Sequence, residues 1–192
     1  MKWVALAIVL VIVPYTFLTL YFRKPGPAYQ PYQSMKDRAN TARLLSAGYQ
    51  RITLDAQRPA DSTSIGVATS TTTSPGGLPN DLRSTLVEPP LLPAEILSVA
   101  AAGTISAQRA YPIQFTCATP NNKQQLAGAE LYLKDNEVVI TPDFELVTGT
   151  LLTRTRENVI LLTVPAGAFK PGRYRVILAG QNSSRTWTLQ VQ

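Results

Sequence analysis

The chain has 192 residues, no histidine, a single cysteine (Cys117) and a formal charge of +6. That inventory excludes Ser-His-Asp and Cys-His catalysis, histidine ligation of metals, multi-cysteine zinc sites and any intrachain disulfide, and its length suits one ordinary domain with additions. The charge sits at one end: residues 1–58 hold eight bases and two acids, whereas residues 59–192 hold ten of each, so the basic balance is not the nucleic-acid footprint of a globular domain.

Trp3 to Phe22 is an apolar run of twenty residues interrupted by Pro14, Thr16 and Thr19. At about 1.5 Å per residue such a helix spans roughly 30 Å, the thickness of a bilayer's hydrocarbon core. No small-x-small cleavage site precedes Arg23, where "FLTLYF" stands. The expectation is therefore an uncleaved single-pass anchor over residues 1–24 rather than a signal peptide.

Residues 25–54 form a juxtamembrane segment. Pro25, Pro27 and Pro31 interrupt any helix there, and Tyr29 and Tyr32 suit the headgroup level. From Ser34, with Asp37 three residues on as a capping box, a helix is expected over about 34–47, ending at Gly48. Met35, Ala39, Ala42 and Leu45 make its apolar stripe, with Lys36, Arg38 and Arg43 mostly off it, so the helix is expected to be basic on its exposed side. Arg23, Lys24, Tyr29, Tyr32, Lys36, Arg38 and Arg43 are the candidate contacts with anionic lipid or with a partner subunit.

Residues 55–93 read as a flexible linker. Nine of the fifteen residues in "DSTSIGVATSTTTSP" are Ser or Thr, and "GGLP" and "EPPLLP" follow. From residue 94 to 192, short alternating runs bounded by turn residues predict about seven strands packed as an antiparallel sandwich. In "YPIQFTCAT" Ile113, Phe115 and Cys117 share a face; in "AELYLK" Leu131 and Leu133 point inward with Glu130, Tyr132 and Lys134 outward; in "RTWTLQV" Trp187, Leu189 and Val191 align.

The stretch "VPAGAFKPGRYRVILAG" with "SSRTWTLQV" resembles the last three strands of bacterial Ig-like or fibronectin-III-like domains, most closely over residues 158–192. The resemblance implies an Ig-like fold, with Tyr174 as a tyrosine corner whose ring enters the core and whose hydroxyl bonds the preceding turn. It implies nothing about function.

Chemistry-bearing candidates are few. Cys117 reads as a buried structural thiol, since no histidine is present to activate it. The pairs Asp135/Glu137 and Asp143/Glu145 read as solvated loop acids. Arg154 and Arg156, with Arg173 and Arg175, would line one exposed face if their strands neighboured each other, giving an interaction patch. No catalytic residue, metal or cofactor is expected. The reading is a non-enzymatic accessory or scaffolding subunit of a larger membrane or envelope complex, with protein partners and anionic lipid as contacts. The alternative is a stalk-displayed carbohydrate or adhesion module, which requires exposed aromatics, with Tyr132 and Tyr111 as candidates. The positive-inside rule pulls the C-terminal bulk toward the cytoplasm, while the linker and sandwich character favour the outside; the placement adopted is a bacterial inner membrane with the C-terminal domain periplasmic.

Overall fold

The computed structural model describes residues 2–22, 35–59, 69–147 and 155–192. The chain divides into two units, Met1–Gln33 and Ser34–Gln192. In the first, helix α1 (Lys2–Tyr21) is apolar on all sides. It is long and apolar enough to cross a membrane. Pro14 lacks a backbone donor, and beside it Thr16 and Thr19 return their hydroxyls to the carbonyls of Ile12 and Tyr15.

The second unit is a closed eight-strand β-barrel with two additional strands. Its elements are α2 (Met35–Ser46), β1 (Gln50–Gln57), β2 (Thr72–Pro75), α3 (Asn80–Thr85), β3 (Glu95–Ala101), β4 (Thr104–Ile105), β5 (Tyr111–Ala118), β6 (Gln124–Lys134), β7 (Glu137–Leu146), β8 (Glu157–Val164), β9 (Gly172–Leu178) and β10 (Ser183–Val191). Around the ring the order is β10-β3-β5-β8-β1-β6-β7-β9, and β9 pairs back to β10; β2 and β4 attach to β10. The expected Ig-like sandwich is therefore wrong. Two pairings overturn it. β1, from the juxtamembrane segment, inserts between β6 and β8, and β7 pairs in parallel with β9. Each joins what would have been a free sheet edge, and closure removes the edges a sandwich retains.

The inward alternation set the core as the sequence implied. Ile113, Phe115 and Cys117 are buried on β5, Leu131 on β6, and Trp187, Leu189 and Val191 on β10. Together with Tyr111, Phe144, Ile160 and Leu162 they fill the barrel interior with side chains. Within it the Trp187 indole donates to the Tyr111 hydroxyl (3.1 Å), which donates to the Ala102 carbonyl (2.8 Å). Tyr174 is buried and its hydroxyl donates to the Lys170 carbonyl at 2.9 Å, the corner geometry expected of it, here set in a barrel.

Residues 69–93, expected as linker, are built into the barrel. β2 pairs with the start of β10. The "GG" step then lies against the β9–β10 turn: Gly76 and Gly77 donate to the carbonyls of Asn182 and Gly180 at 3.1 and 2.8 Å. α3 buries Leu82 completely. Residues 60–68, which carry part of the Ser/Thr run, lie outside the described residues.

Candidate functional site

α2 ends in a Schellman turn. Gly48, at φ +81°, takes the left-handed conformation a side chain would resist. The Gly48 and Tyr49 amides donate to the carbonyls of Leu45 and Leu44 at 3.1 and 2.8 Å, and Leu44 and Tyr49 pack together. The chain passes straight into β1, so α2 is fixed to the barrel wall. Leu44, Tyr49, Leu82, Leu86, Tyr132 and Val139 form a second, smaller core outside the barrel.

This second core corrects two expectations. Tyr132 does point outward from its strand, yet it is 3% exposed because the second core covers it; Tyr111 is 1% exposed inside the barrel. Neither offers the exposed aromatic surface that the carbohydrate-module reading requires. The stripe of α2 is also inverted. Leu44 is buried, with Asn40 and Ala47 half-buried beside it, while Met35, Ala39, Ala42 and Leu45 face out. Leu44 and Leu45 are neighbours, and helical spacing from Met35 selects the wrong one of the pair.

Between α2, residues 86–91 and the outer faces of β1, β6 and β7 lies a polar cleft of about 400 Å3. Arg51 on β1 is its centre: it pairs with Glu130 on β6, and Asp37 on α2 stands 3.8 Å away. The Tyr132 hydroxyl also donates to Glu130. The hydrogen bond that Arg51 donates to Glu130 holds its guanidinium even more firmly protonated than usual, while burial and then the Glu130 contact push the Tyr132 phenol upward. On the rim, Lys36 donates to Glu88 at 2.8 Å, an exposed pair that contributes little. Asn40 accepts from the Val87 amide at 2.6 Å, and Asp143 from the Leu91 amide at 3.1 Å, so residues 87–91 form a strap stitched to helix and barrel. Asp143 is half-buried and desolvation raises its pKa, only partly opposed by the Leu91 hydrogen bond; it is not the solvated loop acid expected.

The cleft presents four carboxylates against two cations, and Lys36 and Arg51 already hold Glu88 and Glu130. Such an arrangement suits polar or basic groups on a protein surface. Among the described residues no three carboxylates, cysteines or histidines gather as metal ligands. Arg51 and Glu130 carried no site signal in the sequence, because their pairing depends on β1 lying beside β6 (Arg51 opposite Tyr132), and Asn40 carried none because its partner is the Val87 amide, 47 residues away.

The other candidates scatter. Arg38 and Arg43 are exposed on α2. Arg173 and Arg175 are exposed on β9, whereas Arg156 precedes β8, which stands directly across the ring from β9. Arg156 there donates to the Pro120 carbonyl. The expected arginine patch does not assemble from these strands. Cys117 is fully buried, and burial pushes its thiol up to about 12. Arg23, Lys24, Tyr29, Tyr32 and Arg154 lie outside the described residues. Comparison with protein-family models, curated proteins and solved structures finds no match for the chain, so the Ig-like and fibronectin-III resemblance brings no family with it.

Proposed function

We propose that this chain is a non-enzymatic, single-pass membrane protein that holds a packed β-barrel close to a bilayer as an accessory or scaffolding subunit of a membrane complex. One observation carries the reading: a helix apolar on every side is followed, only twelve residues after Phe22, by α2, a helix built into the barrel unit. Those twelve residues span at most about 45 Å however they run. A barrel whose interior is filled by side chains has its outer surface left for recognition, and the charged cleft beside α2 is a concavity on that surface. The placement that goes with this reading is a bacterial inner membrane with the barrel on the periplasmic side.

The test is extraction of the native protein in mild detergent, sizing, and identification of what co-migrates. A complex larger than the chain, containing a second protein and lost when Glu88 and Asp143 are both replaced by lysine, is the expected result. A lone monomer refutes the subunit reading. A reporter fused to the C-terminus separates the two orientations.

A further inference from the structure

We propose that the outward face of α2 seats in the headgroup layer of an anionic bilayer, an inference that rests on the reading that α1 spans that bilayer. One side of α2, with Asn40, Leu44 and Ala47, is committed to the barrel. At about 100° per residue the opposite side carries Met35, Ala39, Ala42 and Leu45, with Arg38 set among them and Arg43 at the margin. Met35 is 84% exposed and Leu45 66%. Of the exposed large apolar side chains described in the barrel unit, only Leu146, at 63%, comes near them; Val87, Leu91 and Leu97 are at 39–41%. Two of the three outliers thus share one face of one helix.

The charge on that face identifies its occupant. Among the described residues no ion pair engages Arg38 or Arg43, whereas Lys36 at the margin is taken by Glu88. Small and long apolar side chains with unpaired guanidiniums beside them are the pattern of a helix lying in a bilayer interface, its apolar side in the acyl boundary and its bases among the phosphates. The whole charge excess of the chain lies in residues 1–58, the part of the chain that holds both α1 and α2.

The single cysteine is buried, so a cysteine introduced on the surface is the sole reactive one. The full chain, carrying Ala42→Cys or the control Ser98→Cys, is labelled with bimane. The control lies on β3, directly across the ring from β6. Each is placed in nanodiscs of phosphatidylcholine alone or mixed with phosphatidylglycerol, with and without spin-labelled lipid. The expected result is a blue-shifted emission at position 42 that spin-labelled lipid quenches several-fold more in the mixed discs, with position 98 unchanged. Arg38→Glu combined with Arg43→Glu returns position 42 to water-like emission while the chain stays in the disc. Water-like emission at 42 in mixed discs that retain the chain overturns the lipid seat and leaves the spanning reading intact. Quenching indifferent to phosphatidylglycerol and to the two reversals also overturns it. A blue shift that lipid-borne spin labels do not quench overturns it too, and assigns the face to a protein. A chain stripped from the discs by alkaline carbonate overturns both readings.

Discussion

The barrel closes at its weakest point between β10 and β3, and Arg185 is the residue on which that closure depends. The two strands share a single ladder pair, Ser183 with Glu95, and β3 is bulged between Ile96 and Ser98. At the bulge the chain turns the Ile96 and Leu97 carbonyls within reach of Arg185. Arg185 supplies the donors: Nε reaches the Ile96 carbonyl at 3.1 Å, Nη2 the Leu97 carbonyl at 2.9 Å and Nη1 the Thr73 hydroxyl at 2.7 Å. Hydrogen bonds from a charged donor contribute about 1.5–3 kcal/mol each when shielded and much less when water competes. Only the Ile96 bond is part-buried, so Arg185→Ala is expected to cost about 2 kcal/mol, a fall in Tm of about 4–8 °C for a chain of this size. Arg185→Lys, which keeps the charge without the planar fork, recovers less than half. The assay is unfolding in detergent micelles followed by fluorescence in a Trp3→Phe background. Trp187, buried two residues from Arg185, is then the only tryptophan, excited selectively on the red edge of its band. Amide exchange in β3 should quicken before that in β6. If Arg185→Ala unfolds within about 0.5 kcal/mol of the parent, and β3 exchanges as slowly as before, the seam does not depend on this guanidinium.

Gly76→Ala tests whether the Ser/Thr-rich stretch belongs to the fold: a Cβ there would stand 2.3 Å from the backbone of Gln181 and Asn182. Backbone must shift to admit it, so a cost toward the upper end of about 1–3 kcal/mol is expected from denaturation midpoints; a neutral result would make the docking of this turn dispensable. Asp143→Asn keeps an acceptor for the Leu91 amide and removes a carboxylate whose pKa is raised by desolvation. A raised carboxyl binds its proton more tightly folded than unfolded, so it weakens the fold as pH climbs through the acid range. The asparagine variant should therefore unfold later than the parent at neutral pH and no later in acid. Burial raises the Cys117 thiol from 9.0 to about 12 and the Tyr111 phenol from 10.0 to about 12. The folded state retains protons that the unfolded state releases, so stability should fall as pH rises from about 9 toward 12. Cys117→Ala should shallow that slope, and the native thiol should resist a thiol-specific dye until the barrel opens.

Strand character was legible wherever alternation and turn chemistry agreed, as in "YPIQFTCA" and "SSRTWTLQV", and the apolar helix was legible from length alone. Closure was not. β1, "QRITLDAQ", is a stave whose Leu54 is buried and whose Ile52 and Ala56 pack against the core. Its charged neighbours Arg51 and Asp55, and the Ser/Thr-rich stretch just beyond it, mask that alternation. Its partners lie some eighty and a hundred residues away, at Leu131 and Leu162, and no local pattern encodes so distant a pairing. The same distance hid the cleft: Arg51 and Glu130 acquire meaning only when β1 and β6 are neighbours. Tyr174 shows the converse, since its hydroxyl bond to Lys170 spans four residues. A local motif can thus be right inside a fold that is not the one it suggested.

The route from α2 into β1 also limits how the barrel can move. If a flexible segment joined them, seating the helix on a surface would leave the barrel free to turn. Instead Gly48 completes a two-bond cap, Tyr49 locks onto Leu44, and β1 begins at Gln50 as a strand that pairs with β6 over Gln50–Leu54 and with β8 over Asp55–Gln57. Lys36–Glu88 and Asn40–Val87 tie the helix to the strap, and the Arg51 contact to Asp37 ties it to β1. The helix cannot swing away without breaking the second core around Leu44, Leu82 and Tyr132. A contact that orients α2 therefore orients β1, β6 and the charged cleft with it. This is why a twelve-residue helix with one face on the barrel and one face open can serve to aim the barrel, where a flexible spacer would serve only to hold it nearby.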